Sequence, residues 1–152
     1  MAEYYYNDKG APTPTRIHVG VVVAIYYREK ILFDHRIDGD WGLIGGAMEI
    51  GESITECVIR EALEETGLEI DDLTLVGHFS EPGRIIQRRD EAVQLVTICF
   101  AANAPGKLIA LSDESLEAGF FSRSEIEQLN VVKTHKAIVP WLFEPERWPV
   151  MA

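Results

Sequence analysis

The feature that most restricts the fold of this chain is a segment, residues 53–67, that carries signals for both ends of one helix. Ser53 and Glu56 have the spacing of a capping box, in which each side chain accepts a hydrogen bond from the backbone N–H of the other residue. Gly67 is typical of the left-handed residue that ends a helix. The sequence therefore predicts a helix from residue 54 to about residue 66.

One face of this predicted helix carries three carboxylates. Because successive helical residues are rotated by about 100°, Glu61, Glu64 and Glu65 share an arc of about 100°. Each like-charge pair three or four residues apart costs about 0.2–0.5 kcal/mol, and the helix dipole disfavours anions near the C-terminus. A solvated acidic face is the simple interpretation. A divalent cation such as Mg²⁺ or Mn²⁺, which prefers oxygen ligands, explains the arrangement better.

Strand-like segments on both sides of the helix predict a mixed β-sheet. The first, Val19–Tyr27, is a continuous apolar run typical of a buried strand, and the polar residues after it indicate a hairpin. The predicted strands are 19–27, 31–35, 41–44, 73–79, 93–101 and 119–121. With the helix, this order predicts one α+β domain over residues 1–152, an α/β/α sandwich in which helices flank a mixed sheet.

The remaining segments are expected to be loops and short helices. Residues 1–16, which contain one glycine and two prolines, are predicted to form an irregular N-terminal arm. Ser122 opens a second capping box and predicts a short helix. A last helix is predicted within residues 133–143, where Pro140 must start, kink or end it. The stretch between the strands at 73–79 and 93–101 is predicted to be an arginine-rich loop with Arg84, Arg88 and Arg89.

The charge balance of the chain excludes one class of partner. Twenty-five acidic residues against fourteen basic ones give a formal net charge of −11. We therefore expect no nucleic acid on a broad basic face and no attachment to an anionic membrane surface. If the ligand is an anion, a bound cation must mediate the contact. Cys57 and Cys99 lie in apolar runs and are expected to be core thiols of a cytoplasmic protein.

The predicted helix is the centre of a longer pattern. Gly46 is followed after five residues by Glu52, and after seven more by residues 60–68, Arg-Glu-Ala-Leu-Glu-Glu-Thr-Gly-Leu. This pattern resembles the signature of the Nudix (MutT-like) hydrolase family, and all nine of its defined positions in residues 46–68 are met. The resemblance extends over about residues 17–130 and implies the Nudix fold. It departs at Ile44, where the family usually has proline; we expect a slightly looser loop there and an intact site.

The resemblance implies a role for each box residue. Gly45 would offer its backbone carbonyl to Mg²⁺ or Mn²⁺. Glu61, Glu64 and Glu65 would be carboxylate ligands of the cation. The attacking water would lose its proton to Glu61 or to another box glutamate such as Glu64, because family members differ in which glutamate is the base.

Arg60 is implied to be a positioning residue of the same site. Through a charge-assisted hydrogen bond it would hold Glu52 or Glu61 in place. An ion pair with Glu56, one helical turn earlier, is the alternative that the helix geometry allows equally.

Residues outside the box are expected to complete the site and to recognise the substrate. In the late loop Glu114 is implied to act at the catalytic site, with Asp113 and Glu117 as competing positions. Substrate contacts are expected from arginine and aromatic residues that could bind phosphate or stack on a base, with core packing or a solvated loop as their alternative: Arg36, Phe79, Arg84, Arg88 and Phe121.

The resemblance implies a pyrophosphohydrolase that cleaves a diphosphate bond in a nucleoside diphosphate linked to another moiety. The candidates are a nucleoside triphosphate, a nucleotide sugar such as ADP-ribose, and a dinucleoside polyphosphate; the small size of the domain mildly favours the triphosphate class. The alternative is a catalytically inactive Nudix-fold module that senses a nucleotide or binds a protein. The complete carboxylate set favours the enzyme. The sequence leaves open a homodimer in which the N-terminal arm exchanges between subunits.

Overall fold

The computed structural model describes residues 2–37, 40–104 and 115–152. The strands in these ranges are β1 (Ala2–Tyr6), β2 (Arg16–Tyr27), β3 (Lys30–Arg36), β4 (Trp41–Ala47), β5 (Thr74–Phe79), β6 (Arg84–Arg88), β7 (Glu91–Asn103), β8 (Ser115–Phe121) and β9 (Val150–Met151). The α-helices are α1 (Ile54–Thr66), α2 (Arg123–Ile126) and α3 (Lys133–Lys136), and 3₁₀ helices cover Val139–Phe143 and Pro145–Arg147.

Strands β2 and β7 form the centre of a mixed sheet. The main order is β1-β6-β7-β2-β4-β3-β8, and β5 pairs with both β7 and β9. β2 and β7 run parallel, from the pair Arg16–Val93 to the pair Tyr26–Asn103. β4 is antiparallel to β2 and places Gly45 opposite Val22. The predicted α+β class with a mixed sheet is confirmed.

The core lies on both faces of the sheet because β2 is buried on both sides. Alternate side chains of a strand point to opposite faces, and Val21 and Val23 accordingly pack in one cluster with α1, while Val22 and Ala24 pack in the other. The second cluster includes Ile138 and Leu142 from the C-terminal segment. A strand covered on both faces explains the continuous apolar run in the sequence.

Both predicted ends of α1 are confirmed. The Glu56 N–H donates to Ser53 Oγ at 3.1 Å, and the Ser53 N–H donates to Glu56 Oε1 at 2.8 Å. Gly67 ends the helix with a φ of +73°, and its N–H donates to the Leu63 carbonyl at 2.9 Å. The capping box at Ser122, which opens α2, is present as well.

Two segments predicted to be irregular are strands. The prediction of an irregular arm over residues 1–16 is wrong at both ends, because Ala2–Tyr6 forms β1 and β2 begins at Arg16. The predicted arginine-rich loop is also wrong, since Arg84–Arg88 forms β6. These two strands pair with each other, in an antiparallel register from Ala2–Arg88 to Tyr6–Arg84. The pairing crosses about 80 residues of sequence, so no local pattern could signal it.

Smaller corrections concern the lengths of elements. The predicted helix within 133–143 divides into α3 and the 3₁₀ helix Val139–Phe143, with Pro140 in the first turn of the latter. Proline fits there because the first N–H groups of a helix have no intrahelical acceptor. The strand expected at 119–121 begins earlier, at Ser115, and the strand expected at 41–44 continues to Ala47.

Two observations bear on the surroundings of the chain. Both cysteines, Cys57 and Cys99, are buried free thiols, as expected of core residues. In the part of the chain that the structure describes, each helix is too short or too polar to cross a membrane.

Candidate active site

A cleft of about 560 Å³ is lined by Arg60 and by three of the four glutamates at defined positions of the box. Its lining includes Glu61, Glu64 and Glu65 from α1, which are called the box carboxylates below, together with Gly45 and Gly46 of β4. The same cleft is lined by Arg16 and His18 of β2 and by Arg88 of β6, which are called the basic cluster. One cavity therefore holds the predicted metal ligands and, in addition, positive charge from the two strands flanking β7.

Arg60 links three carboxylates around one guanidinium group. It donates to Glu52 from Nε at 3.0 Å and from Nη2 at 2.8 Å, a bidentate contact. Nη1 donates to Glu61 Oε1 at 2.9 Å and to Glu64 Oε2 at 3.1 Å. The positioning role implied for Arg60 thus extends to both Glu52 and Glu61. The alternative partner Glu56 instead accepts from Ser53.

The Arg60 contacts also tie α1 to the loop that precedes it. Nη2 donates to the carbonyl of Ala47 at 3.2 Å, and Glu52 accepts from the Glu49 N–H at 2.8 Å. The hydrogen bonds from Arg60 lower the pKa of Glu52 to about 2. Glu52 is therefore an ionised partner of Arg60 at neutral pH.

Glu65 is held separately from the other box carboxylates. Its Oε1 accepts from Arg36 Nη1 at 2.9 Å and its Oε2 accepts from the Gly45 N–H at 3.0 Å. The side chain is only 7% exposed. Burial, reinforced by Asp34 and opposed by Arg36, raises the pKa of Glu65 to about 8. Burial also raises the pKa of Glu61, against the lowering effect of Arg60.

Two glycines of β4 allow close approach of its neighbours, Gly46 to α1 and Gly45 to β2. A methyl group on Gly46 would lie 2.5 Å from the Glu61 carboxylate, and one on Gly45 would lie 2.0 Å from the Val21 carbonyl oxygen. Because backbone cannot move away as a side chain can, glycine is required at Gly45, whereas a methyl group on Gly46 would displace the Glu61 carboxylate. Ile44, where the sequence departs from the family pattern, is fully buried and pairs with Val23. The looser loop expected there is wrong, because the segment is a regular strand.

The box carboxylates and the Gly45 carbonyl are suitable ligands for a hard divalent cation, although the carboxylates do not converge on one point. Carboxylate oxygens and a backbone carbonyl are the ligands that Mg²⁺ and Mn²⁺ favour. Among the described residues no three His, Cys, Asp or Glu side chains converge on a point that could hold a metal ion. Arg60 holds Glu61 and Glu64, while Arg36 holds Glu65. Binding of a cation therefore requires these ion pairs to loosen.

The other predicted site residues divide into three groups. Arg36 lines the cleft. Phe79 is 1% exposed in the core and Arg84 is completely buried, where its Nη2 donates to Thr97 at 3.1 Å; neither side chain is accessible to a substrate, so the structure does not support the contacts expected of them. Glu114 and its competitor Asp113 lie outside the described residues.

Several cleft residues were either not predicted from the sequence or were predicted in the wrong kind of element. Tyr4 and Arg16 belong to the segment predicted as an irregular arm, and both line the cleft. Arg88 was named as a candidate, but as a loop residue. His135 and Thr97 also line the cleft, and nothing in their sequence surroundings marks them. These residues come together through strand pairing and through the packing of the C-terminal segment.

Comparison with known proteins supports the pattern. A family model described as the NUDIX domain matches residues 16–142. An ADP-ribose pyrophosphatase from Methanocaldococcus jannaschii is 34% identical over 91 residues, which are 60% of this chain and 51% of that protein. An NAD-capped RNA hydrolase, NudC, from Vibrio cholerae is 36% identical over 66 residues, 41% of this chain and 24% of that protein. The chain therefore spans about half the length of the first of these relatives and a quarter of the second.

Solved structures share the architecture at low sequence identity. A NUDIX hydrolase from Nitrosomonas europaea has a TM-score of 0.73 at 22% identity, covering 92% of this chain and 78% of that one. An ADP-ribose pyrophosphatase from Streptococcus suis has a TM-score of 0.67 at 21% identity, covering 89% and 96%. A bifunctional NMN adenylyltransferase/ADP ribose pyrophosphatase from Francisella tularensis, complexed with AMP and a manganese ion, has a TM-score of 0.67 at 21% identity, covering 88% and 43%. At these identities the likeness shows a common fold.

Proposed function

This chain is a member of the Nudix family and has the Nudix fold, and we propose that it is a pyrophosphohydrolase. Its substrate is a nucleoside diphosphate linked to another moiety, and the bond cleaved is the diphosphate bond. The observation that carries this proposal is the complete Nudix box with its three carboxylates on the lining of one cleft. A binding module that had lost catalysis would not need to keep all three carboxylates in one cleft.

We assign the cation to Gly45 and the box carboxylates. Extended residues direct their N–H and C=O groups to the same edge of a strand, and the Gly45 N–H donates to Glu65. Its carbonyl therefore faces the same side as α1. Bound there, Mg²⁺ or Mn²⁺ would neutralise the diphosphate charge and lower the pKa of a bound water. This also accounts for the use of an anionic substrate by a chain of net charge −11.

The proton of the attacking water goes to a box glutamate, Glu61 or Glu64. Glu61 is the more buried of the two, with 15% of its side chain exposed against 58% for Glu64. Burial raises the pKa of Glu61, which makes it a stronger base when ionised. Arg60 contacts both glutamates and keeps them oriented. Glu52 in turn fixes Arg60 through the bidentate contact.

The substrate as a whole is a small nucleotide derivative and not nucleic acid. The relatives named for ADP-ribose support a nucleotide sugar such as ADP-ribose as the first compound to test, with nucleoside triphosphates and dinucleoside polyphosphates as the other candidates. The NudC relatives act on capped RNA by name, but a chain of net charge −11 is poorly suited to hold a nucleic acid chain. The homodimer and the cytoplasmic location expected from the sequence stay predictions.

A phosphate-release screen tests the proposal. The purified protein is incubated with each compound class in Mg²⁺, in Mn²⁺ and in EDTA. A nucleotide sugar leaves two phosphate-bearing products, so we expect no inorganic phosphate until a phosphatase is added, whereas a triphosphate yields pyrophosphate or phosphate directly. The rate should require the cation and should not fall when nucleic acid is added as competitor. Saturable binding of one nucleotide, with no cation-dependent turnover of any compound by folded, metal-loaded protein, would instead identify a sensor.

A further inference from the structure

His135 of α3 places its ring in the cleft through contacts with β4. A methyl group on Gly42 would lie 3.2 Å from Nδ1 and 3.4 Å from Cε1 of His135. The absence of a side chain at Gly42 therefore makes room for the imidazole ring. The ring lines the same cleft as the box carboxylates, although α3 follows them by about 70 residues in the chain.

The hydrogen bond of His135 fixes which ring nitrogen carries the proton. The Leu43 N–H donates to Nδ1 at 3.0 Å, so Nδ1 must present a lone pair. A neutral imidazole with an acceptor Nδ1 carries its proton on Nε2. Burial, reinforced by Arg84 and Arg36, lowers the pKa of His135 to about 3 and keeps the ring neutral.

The Nε2–H of His135 is a donor that the described residues leave unused. Within the described residues, the ring of His135 makes one hydrogen bond, the contact of Nδ1 with Leu43. Its Nε2 is not a fully buried atom. Because the ring lines the cleft, this N–H is available to a molecule bound there.

The position of His135 along β4 indicates which part of the substrate it faces. Leu43, which bonds the ring, lies two residues before Gly45, which bonds Glu65. Two residues of extended strand span about 7 Å, more than the distance between the two phosphorus atoms of a diphosphate. If the diphosphate lies at the box carboxylates, His135 is displaced from it along β4, where a group attached to the diphosphate would extend.

We propose that His135 is a specificity-determining residue whose Nε2–H donates a hydrogen bond to an acceptor oxygen on the nucleoside part of the substrate. The inference rests on the proposed pyrophosphohydrolase function for the placement of the diphosphate. The imidazole ring is neutral and keeps its one proton on Nε2. The contact therefore selects for a hydrogen-bond acceptor on the substrate, and His135 transfers no proton during the reaction.

Two substitutions separate this role from the structural role of the ring. In His135→Asn the amide oxygen takes the place of Nδ1 and can still accept from Leu43, but no donor remains at the Nε2 position. In His135→Gln an amide N–H returns near the Nε2 position. We expect KM to rise about 3- to 10-fold in His135→Asn, the loss typical of one hydrogen bond, with kcat and thermal stability close to those of the parent protein. His135→Gln should recover part of the loss, and Lys136→Gln, an exposed neighbour, should change nothing.

Nuclear magnetic resonance gives a readout that does not depend on turnover. In protein labelled with ¹⁵N-histidine, the His135 signals are identified by their loss in His135→Asn. They should show a protonated Nε2 and an unprotonated Nδ1 at neutral pH. Titration with AMP, GMP and UMP should shift the Nε2 signal for at least one of them.

Each contrary result has a definite meaning. A proton on Nδ1, an unchanged KM in His135→Asn, or an unmoved Nε2 signal with every monophosphate would overturn the proposal for His135. If the parent protein hydrolyses no compound in the screen while the Nε2 signal still responds to a nucleotide, the proposed pyrophosphohydrolase function fails and the nucleoside contact stands.

Discussion

The box carboxylates and the basic cluster line the same cleft but arise in different ways. The box carboxylates lie within five consecutive residues of α1, so the helical period alone brings them together. The basic cluster joins Arg16 and His18 of β2 to Arg88 of β6, two strands that both pair with β7. The first group could be found by pattern; the second exists only after three strands have paired. The family signature is therefore local in this chain, whereas the positive charge that shares its cleft is not.

The two groups also differ in how their charge is balanced. Glu61 and Glu64 share Arg60 as their ion-pair partner, and Glu65 pairs with Arg36, so every box carboxylate contacts an arginine. In the basic cluster Arg16 pairs with Glu91, and Arg88 makes no ion pair within residues 2–37, 40–104 and 115–152. A cation must compete with arginine at the box end, while an anion at the other end meets an unused positive charge.

The largest expected effect comes from the box carboxylates. Glu64→Gln keeps the size and helix propensity of the side chain but removes its charge, so the loss of a metal ligand or base should lower kcat at least about 10²-fold. Because Glu64 is half exposed, the thermal unfolding temperature should hardly change. Glu69→Gln, which neutralises an exposed carboxylate just past the helix, is the matched control. Near-parental kcat in Glu64→Gln would remove Glu64 from the site.

A smaller effect is expected where β4 meets α1. Gly46→Ala would push a methyl group against the Glu61 carboxylate, at 2.5 Å without adjustment, and a side chain can move away. We expect kcat to fall by less than the loss of about 10²-fold that a misplacement of about 1 Å can cause, in a folded protein. Gly45→Ala would instead meet the Val21 backbone oxygen at 2.0 Å, so a large loss of thermal stability is expected. Equal stability in the two variants would contradict the packing described for this strand pair.

The metal-free protein should show the cost of burying Glu65. Its pKa is about 8 in the folded chain against an ordinary value of 4.5, so the folded state binds the proton more tightly. Stability is then fully present below about pH 4.5, declines as the pH rises, and levels off above about pH 8. The difference between a pKa of 4.5 and one of about 8 corresponds to about 5 kcal/mol. In EDTA the unfolding temperature should therefore fall by about 10–20 °C over this window, at about 2–4 °C per kcal/mol for a domain of this size.

Two comparisons assign that decline to Glu65. The unfolding temperature of Glu65→Gln should depend less on pH than that of the parent protein, because the amide does not titrate. Added Mg²⁺ should raise the unfolding temperature most at the alkaline end, where the ligand is ionised and cation binding stabilises the folded state. If millimolar Mg²⁺ leaves the unfolding temperature unchanged at every pH, that result would count against a cation site on α1.

The smallest effect is expected in the basic cluster. Arg88→Gln removes a positive charge from the cleft and should raise KM about 2- to 5-fold, as expected for one exposed charge–charge contact. The salt dependence of KM should weaken at the same time. Arg89→Gln is the matched control, because Arg89 is also exposed but lies outside the cleft lining. Identical KM values in the two variants would show that the basic cluster does not meet the substrate.

The reach of sequence reasoning can be judged from particular residues. Ser53, Glu56 and Gly67 act through hydrogen bonds and backbone angles within a few residues, and the helix they predicted is present with the same bounds. The tyrosines of β1 carry no period-2 pattern, and their partner strand lies about 80 residues away. Phe79 and Arg84 were assigned to substrate on residue type alone, which cannot tell a buried side chain from an exposed one.

By itself the sequence determined what is local: the helix, its caps, the arc of carboxylates and the family to which they belong. These follow from the rotation per residue, from side-chain capping and from fixed spacing, which need no distant contact. Only the tertiary structure decided that Arg60 holds Glu52, Glu61 and Glu64 together, that Gly45 bonds Glu65, and that His135 enters the cleft beside Leu43. The register of paired strands and the packing of the C-terminal segment set these contacts, and both depend on residues far apart in the chain.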